Sequence, residues 1–431
     1  MKKRVVVTGL GLVSPIGIGV DTFWKHALAG RSGVSAISPW PDLPEIPLEA
    51  YRSLVAGQVL DFDAARLPSS VQPERYDRYA LFSLAATEEA LADSGLRIKR
   101  DNAYRVGVIV GAGMGGMLIA ENEFAKVYMR HRPQRVHPNF IPMVTLNSAS
   151  GVLAMTFGAK GPNLTISTAC SSSAHAIGQA AAAIRAGQAD AVITGGAEAS
   201  ITPLAFAGFC ALRAVSTAFN DEPARASRPF DRARDGFVMG EGAATLILES
   251  LDHALRRRAP IYGEVVGYGS TSEAYHMVMP KEDGSEMAVT MAMALRDAGL
   301  APADVDYINA HATSTPIGDP VEVTAIRTLF KKRADRILVN ATKSLIGHTL
   351  GAAGALGAVA CIRSMQSGLV HPTLNYDDPD PACALDGISP TVQERPVRVA
   401  LLNAFGFGSN NAAVVFKQWP AGARASRSRA R

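Results

Sequence analysis

The sequence predicts a layered α/β protein with largely buried sheets, assembled from two related halves. Two observations carry that expectation. β-branched runs alternate along the chain with alanine-rich runs of helical length, the pattern of sheets covered by helices. One helix ending is also written twice. Ala90-Leu91-Ala92-Asp93-Ser94-Gly95-Leu96 precedes a strand-like run at Val106, and Ala294-Leu295-Arg296-Asp297-Ala298-Gly299-Leu300 precedes another at Val305. Each reads as a helix stopped by glycine and leading into a strand.

In chain order the expected strands are Val5–Thr8, Val106–Val110, Leu164–Ser167, Ala191–Thr194, Ala244–Leu248, Val305–Asn309, Ile337–Val339, Val399–Leu402 and Ala412–Phe416. The expected helices include Phe82–Ser94, Ser173–Ala186, Ala288–Ala298, Pro320–Leu329 and Ala352–Ser367. Alanine-rich helices follow both Cys170 and His348, which extends the echo. The halves are expected at 1–250 and 251–418, meeting near residue 250. Residues 419–431 carry Arg424, Arg427, Arg429 and Arg431 among alanine and serine, and read as a disordered basic tail.

Composition excludes several function classes. With 431 residues, 48% of them hydrophobic, the chain can bury a large core. No apolar run approaches the ~18 residues that a membrane span needs. The opening Lys2-Lys3-Arg4 and Val5-Val6-Val7 is too short and is interrupted by Gly9, so a core strand is expected there rather than a signal peptide. Cys170, Cys210, Cys361 and Cys383 are far apart with no C-x-x-C pair. That spacing argues against zinc and disulfides and for a reducing cytoplasm. A net charge of +4 is no nucleic-acid signature, and only the arginine tail points that way. Arg75, Arg78, Arg130, Arg132, Arg135 and Arg213 would suit an acidic partner if they gather in space.

The chemistry centres on Cys170, between a β-rich run and the helix-forming run that ends near Ala186. A thiol at the first turn of a helix meets unpaired N–H groups and the positive end of the dipole. Such a site lowers a thiol's pKa and favours a nucleophilic thiolate. A buried, inert cysteine fits the same local sequence, so its partners decide. His311 follows a strand in Asn309-Ala310-His311-Ala312-Thr313-Ser314-Thr315-Pro316, and His348 follows another in Thr342-Lys343-Ser344-Leu345-Ile346-Gly347-His348. Strand C-terminal ends are where α/β sheets gather ligands. A third segment, Asn403-Ala404-Phe405-Gly406-Phe407-Gly408, has glycines that let backbone N–H groups approach a substrate. A thiol with two histidines and no evident acid is not a papain-like pattern. Two imidazoles donating to one carbonyl suit enolate stabilisation, and the thiol suits holding an acyl group as a thioester.

These segments, with Asp235-Gly236-Phe237-Val238-Met239-Gly240-Glu241-Gly242 and Thr194-Gly195-Gly196-Ala197-Glu198, resemble the β-ketoacyl-ACP synthases. The resemblance is nearest to the synthase II group of fatty acid synthesis and runs from Val5 to Lys417. It implies a thiolase-like fold of five αβαβα layers in two related halves, a homodimer, acyl carrier protein (ACP) as partner, and a cytoplasmic enzyme. It implies no cofactor and no metal among the named site residues. By the same resemblance Cys170 accepts the acyl group, and His311 and His348 bind the malonyl thioester carbonyl. Lys343 supports the histidines. The N–H groups of Cys170 and Phe407 form the oxyanion hole, and Phe407 gates the acyl channel. Thr313 and Thr315 bind pantetheine, Met114 lines the acyl pocket, and Arg213 meets the carrier protein.

Three departures stand out. Gly357 replaces the family's usual glutamate near a bound monovalent cation, Ser409 follows the Gly-Phe-Gly run, and Ala312 replaces a glycine. The implied activity is a decarboxylating condensation of acyl-ACP with malonyl-ACP in fatty acid elongation. A ketosynthase of a specialised lipid or type II polyketide pathway is the alternative. A thiolase generally needs a second cysteine as base, and a chain-length-factor partner lacks the nucleophile, so Cys170 and the two histidines argue against both.

Overall fold

The structure is a computed structural model and describes residues 3–40 and 46–419. The expected tail therefore lies outside the described residues, except for Trp419. That residue belongs to the fold, with the Arg4 guanidinium 5.1 Å from its ring centre.

Ten strands carry the architecture. The first half contributes β1 (Val5–Ser14), β2 (Val106–Gly111), β3 (Asn163–Ile166), β4 (Ala191–Glu198) and β5 (Gly242–Ser250). The second contributes β6 (Gly263–Ser272), β7 (Tyr307–Asn309), β8 (Leu338–Asn340), β9 (Val399–Gly406) and β10 (Asn410–Gln418). Their spatial order is β3-β2-β4-β5-β1 in one half and β8-β7-β9-β10-β6 in the other. Counted from the first strand of each half, both orders are 3-2-4-5-1. In both, the first three strands in that order run parallel and the remaining pairs are antiparallel. The sheets join along an antiparallel seam pairing Val6 with Glu264 and Val7 with Gly263.

Helices fill three layers around these strands. The outer layer of the first half holds α1 (Arg78–Ser94) and α2 (Ser148–Phe157). The central layer holds α3 (Ser172–Arg185) and α6 (Ala353–Ser367), whose alanines pack with strand residues of both halves in one apolar cluster. The outer layer of the second half holds α4 (Ser285–Ala298) and α5 (Gly318–Phe330). Alanine suits the central helices because they are covered on both faces, where longer side chains would not fit. The result is the five-layered αβαβα arrangement of two related halves. Among the described residues, no helix is long and apolar enough to cross a membrane.

The repeated helix ending proves to be the same element in both halves. Gly95 closes α1 at φ 63° and Gly299 closes α4 at φ 66°. Each helix lies directly on glycines of its half's first strand. A Cβ at Gly9 or Gly11 would sit 2.2 Å from Ala90 O or 1.8 Å from Ala86 O. A Cβ at Gly267 or Gly269 would sit 2.1 Å from Ala294 O or 2.2 Å from Thr290 O. That contact explains two boundary differences. β1 continues through its glycines to Ser14, and β6 forms although its glycines hide it from strand propensity. The helices Val20–Leu28, Met117–Phe124, Ser148–Phe157 and Pro203–Ala211 are further elements absent from the sequence expectation.

Gly11→Ala and Gly267→Ala should each destabilise the protein, by about 1–3 kcal/mol, because the added methyl meets helix backbone that cannot turn aside. Urea unfolding tests this. An unchanged midpoint for either variant would mean that the helix can lift from its strand freely.

Candidate active site

The site forms where strand ends of both halves converge. Cys170 lies after β3, His311 after β7, Lys343 and His348 after β8, and Phe407 after β9. A cavity of about 660 Å³ is lined by Cys170, His311, His348, Phe407, Thr313, Thr315, Met114 and Arg213. Lys343 does not line it; its ammonium donates to the backbone carbonyl of His311 from behind.

Cys170 sits on a sharp turn. Ala169 before it takes φ 51°, and α3 starts two residues later, with Ser171 as its N-cap. The thiol thus precedes the first helical turn rather than standing in it. The N–H groups of Phe407 and of Cys170 itself face the sulfur. The approach of the two loops requires Gly406, where a Cβ would lie 2.7 Å from Thr168 O and 3.2 Å from Cys170 N. Lys343 and the two N–H groups draw the thiol's pKa down, but burial dominates and raises it to about 11, with Glu198 adding to the rise. The thiolate expected at neutral pH is therefore corrected to a protonated thiol. Its driving cause is loss of solvent around the charged form.

The imidazoles of His311 and His348 meet edge to face, with ring centres 5.5 Å apart. His311 Nδ1 and both ring nitrogens of His348 have no hydrogen-bond partner. Burial first, and then the charge of Lys343, holds both pKa values well below the ordinary histidine value. Each ring is therefore neutral at pH 7, with one N–H to donate and one lone pair. Unpaired polar atoms this deep are rare without a purpose, and they face the cavity that holds the thiol.

Lys343 is itself pulled down to about 8 by burial, opposed by the charges of Glu322, Cys170 and Asp319. The two carboxylates mark what the sequence reading passed over. Glu322 Oε1 and Oε2 accept from the N–H groups of His311 at 2.8 Å and Ala312 at 2.7 Å. Asn403 Nδ2 donates to the same carboxylate at 2.9 Å. This fixes Ala312 at φ 22°, where the family's glycine would be unstrained. Asp319 accepts from Ser314 N at 3.1 Å and Phe230 N at 3.0 Å, and Arg234 Nε donates to Thr315 O at 3.0 Å. These bonds shape the loop that presents Thr313 and Thr315, whose hydroxyls lie 3.2 Å apart. Asp319 lies three residues beyond the quoted histidine segment, and nothing local in the sequence marked Glu322 or Arg234.

Three further placements qualify the sequence reading. Arg213 is exposed at the cavity mouth, but Arg78 is bound to Glu241 at 2.8 Å and stacked on Phe82, so it is not free for a partner. Ser409 adopts φ 67°, and its hydroxyl donates to His276 O at 3.1 Å, tying the Phe407 loop to a neighbouring segment. At Gly357 a Cβ would fall 2.6 Å from Asn309 Oδ1 and 2.7 Å from Leu402 Cδ1. A glutamate side chain would run into these two side chains, so the residues present do not fit the carboxylate that would hold that ion. Among the described residues no cluster of three or more His, Cys, Asp or Glu side chains could hold a metal.

The buried thiol predicts slow alkylation by iodoacetamide at pH 7, rising by about tenfold per pH unit at first as thiolate forms. Above about pH 8 the rise should flatten, because Lys343 loses the charge that favours the thiolate. Lys343→Ala should shift the whole curve to higher pH and remove that bend. A superimposable profile would mean that the ammonium does not act on the sulfur.

Residues 2–254 match the family model of the β-ketoacyl synthase N-terminal domain, and residues 262–377 match that of the C-terminal domain. The chain is 43% identical to 3-oxoacyl-[acyl-carrier-protein] synthase 2 of Coxiella burnetii over 97% of its length and 99% of that protein's. It is 44% identical to the protein of the same name from Synechocystis, with the same shares covered. Among solved structures it resembles a type II PKS ketosynthase in complex with its acyl-carrier protein, with a TM-score of 0.89 and 35% identity over 97% of this chain and all of that one. A β-ketoacyl synthase from Burkholderia phymatum gives a TM-score of 0.89 and 34% identity over the same shares. With both family models matched in its two halves and relatives 43% and 44% identical over 97% of its length, the chain belongs to the β-ketoacyl synthase family.

Proposed function

We propose that this protein is a decarboxylating condensing enzyme of fatty acid elongation, joining the acyl group of acyl-ACP to malonyl-ACP to give 3-oxoacyl-ACP. The observation that carries the reading is one cavity containing a thiol, two neutral unpaired imidazoles and a converging pair of backbone N–H groups. In the first step the Cys170 sulfur attacks the acyl thioester, and its proton leaves with the carrier's thiol. The N–H groups of Cys170 and Phe407 stabilise the tetrahedral oxyanion. In the second step malonyl-ACP loses carbon dioxide, and the electron pair of the broken bond becomes an enolate. His311 and His348 donate N–H to its oxygen, in the manner of preorganised oxyanion donors. The enolate carbon then attacks the acyl-Cys170 carbonyl, the C–S bond breaks, and the released sulfur takes up a proton, as its raised pKa favours.

The remaining assignments follow the same reading. Thr313 and Thr315 hydrogen-bond the pantetheine arm, Met114 lines the acyl pocket, and exposed Arg213 meets acidic ACP. Four buried free cysteines support a reducing, cytoplasmic setting, and a homodimer of two-half subunits divided near residue 250 is the expected assembly. The filled Gly357 region favours a second reading, a ketosynthase of a specialised lipid or polyketide pathway, with the same chemistry.

Incubation with acyl-ACP should add one acyl mass to Cys170, and Cys170→Ala should abolish both acylation and condensation. His311→Ala or His348→Ala should lower condensation by roughly 10²–10³ while Cys170 still acylates. Label on Cys210, Cys361 or Cys383, or loss of acylation with decarboxylation intact, would overturn these roles.

Met114→Phe should shorten the longest acyl chain accepted, because a rigid ring closes a pocket that methionine lines flexibly. Acylation rates across C4 to C16 acyl-ACPs test this. An unchanged length profile would place the acyl tail elsewhere.

A further inference from the structure

Behind the cavity wall, five buried side chains close a ring of hydrogen bonds between the ends of β7 and β8. Tyr307, Asn309, Asn340, Thr342 and His371 are each at most 4% exposed. Two backbone carbonyls, which can only accept, fix the direction of every bond. His371 Nδ1 lies 2.9 Å from Pro372 O, so that nitrogen carries the proton and Nε2 is a lone pair. Thr342 Oγ1, 3.1 Å from Nε2, must donate to it. The same hydroxyl is left to accept from Asn309 Nδ2 at 2.8 Å. On the other side Asn340 Nδ2 donates to His371 O at 2.9 Å, which turns its Oδ1 toward the Tyr307 hydroxyl at 2.6 Å. Asn309 Nδ2 closes the ring with its second hydrogen, shared between the Tyr307 hydroxyl at 2.9 Å and Asn340 Oδ1 at 3.1 Å.

The ring has one consistent set of proton positions and no charged member. Burial pushes the His371 pKa down to about 4, so the neutral tautomer that the ring requires persists through the working pH range. Fully satisfied buried networks of this kind fix side-chain and backbone geometry strongly, whereas partly satisfied ones do not.

We propose that this ring is a positioning device for the catalytic loops: it locks Thr342, and hence Lys343, against Asn309, and hence His311. Thr342 immediately precedes Lys343, and Asn309 lies two residues before His311. The Lys343 ammonium then meets His311 O across the gap between the two strand ends. No ring member lines the cavity, so none touches substrate. Gly357 belongs to the same device, since its missing side chain leaves Asn309 Oδ1 its place. This inference rests on the condensing reading, because the histidine it positions acts in the malonyl half-reaction.

Thr342→Val keeps the side chain's shape and removes both hydrogen bonds of the hydroxyl. It should lower kcat for malonyl-ACP decarboxylation and for condensation on the order of 10- to 100-fold, the penalty of displacing reacting groups by fractions of an ångström to an ångström. KM for malonyl-ACP should stay unchanged, and Cys170 should acylate at the wild-type rate. Thr342→Ser, which keeps the hydroxyl, should restore turnover. Should Thr342→Val fail to fold, His371→Phe and His371→Gln make the same comparison, since glutamine offers an acceptor and phenylalanine none. Wild-type turnover in the hydroxyl-free or acceptor-free variant would overturn the proposal. So would failure of serine or glutamine to rescue, or acylation falling in step with turnover. Wild-type protein that acylates Cys170 but never decarboxylates malonyl-ACP would overturn the condensing reading itself.

Discussion

The Lys343 ammonium, buried and bonded to the backbone of His311, sets the electrostatics of the whole cavity. A cation this deep is tolerated only with compensation, and Glu322 and Asp319 supply it from α5. Its charge reaches three groups at once. It adds to the burial that keeps His311 and His348 neutral, and it draws the Cys170 thiol down from where burial alone would leave it. Glu322 in turn spends its oxygens on the N–H groups of His311 and Ala312 rather than on an imidazole. His311 is thereby oriented through its backbone, and its Nδ1 stays without a hydrogen-bond partner.

The duplicated sheet explains why these groups meet. In each half the parallel strands end toward the same side, and the loops leaving them carry the reactive residues: Cys170 from the first half, the histidines and Lys343 from the second. The central pair, α3 and α6, follows the loops of Cys170 and His348 respectively. Both helices pack into one apolar cluster with strands of both halves. The thiol and the second histidine thus sit in the turns that lead into two helices packed in the same layer.

Much of this was legible in the sequence, for physical reasons that can be named. The duplication showed at Ala90–Leu96 and Ala294–Leu300 because a helix end needs glycine in the left-handed region and both halves need the same end. The reactive residues were legible because strand-end loops with glycines, hydroxyls and histidine lack a packing explanation. What stayed hidden was set by burial and by tertiary contact. The thiol's protonation was misjudged because the dipole argument is local, whereas desolvation depends on the second half closing over Cys170. Strand β6 was missed because its glycines answer to a helix stacked on them. Glu322 was missed because its role, accepting from backbone ten and eleven residues upstream, leaves no periodic trace.

The division between charged and neutral groups bears on the chemistry itself. Decarboxylation requires that the malonyl carboxylate be bound no more tightly than the enolate it becomes, since only interactions stronger in the transition state accelerate the step. An ammonium projecting into the cavity would pair with the carboxylate and deepen the ground state. Here Lys343 donates to a carbonyl and does not line the cavity, and the groups beside the thiol are two neutral imidazoles and two backbone N–H groups. In the proposed reaction neutral donors gain most where negative charge newly appears, on the enolate oxygen and on the tetrahedral intermediate at Cys170. The same logic suits the uncharged ring beneath Asn309 and Thr342, which fixes the loops without adding a second buried charge to a site already organised around one.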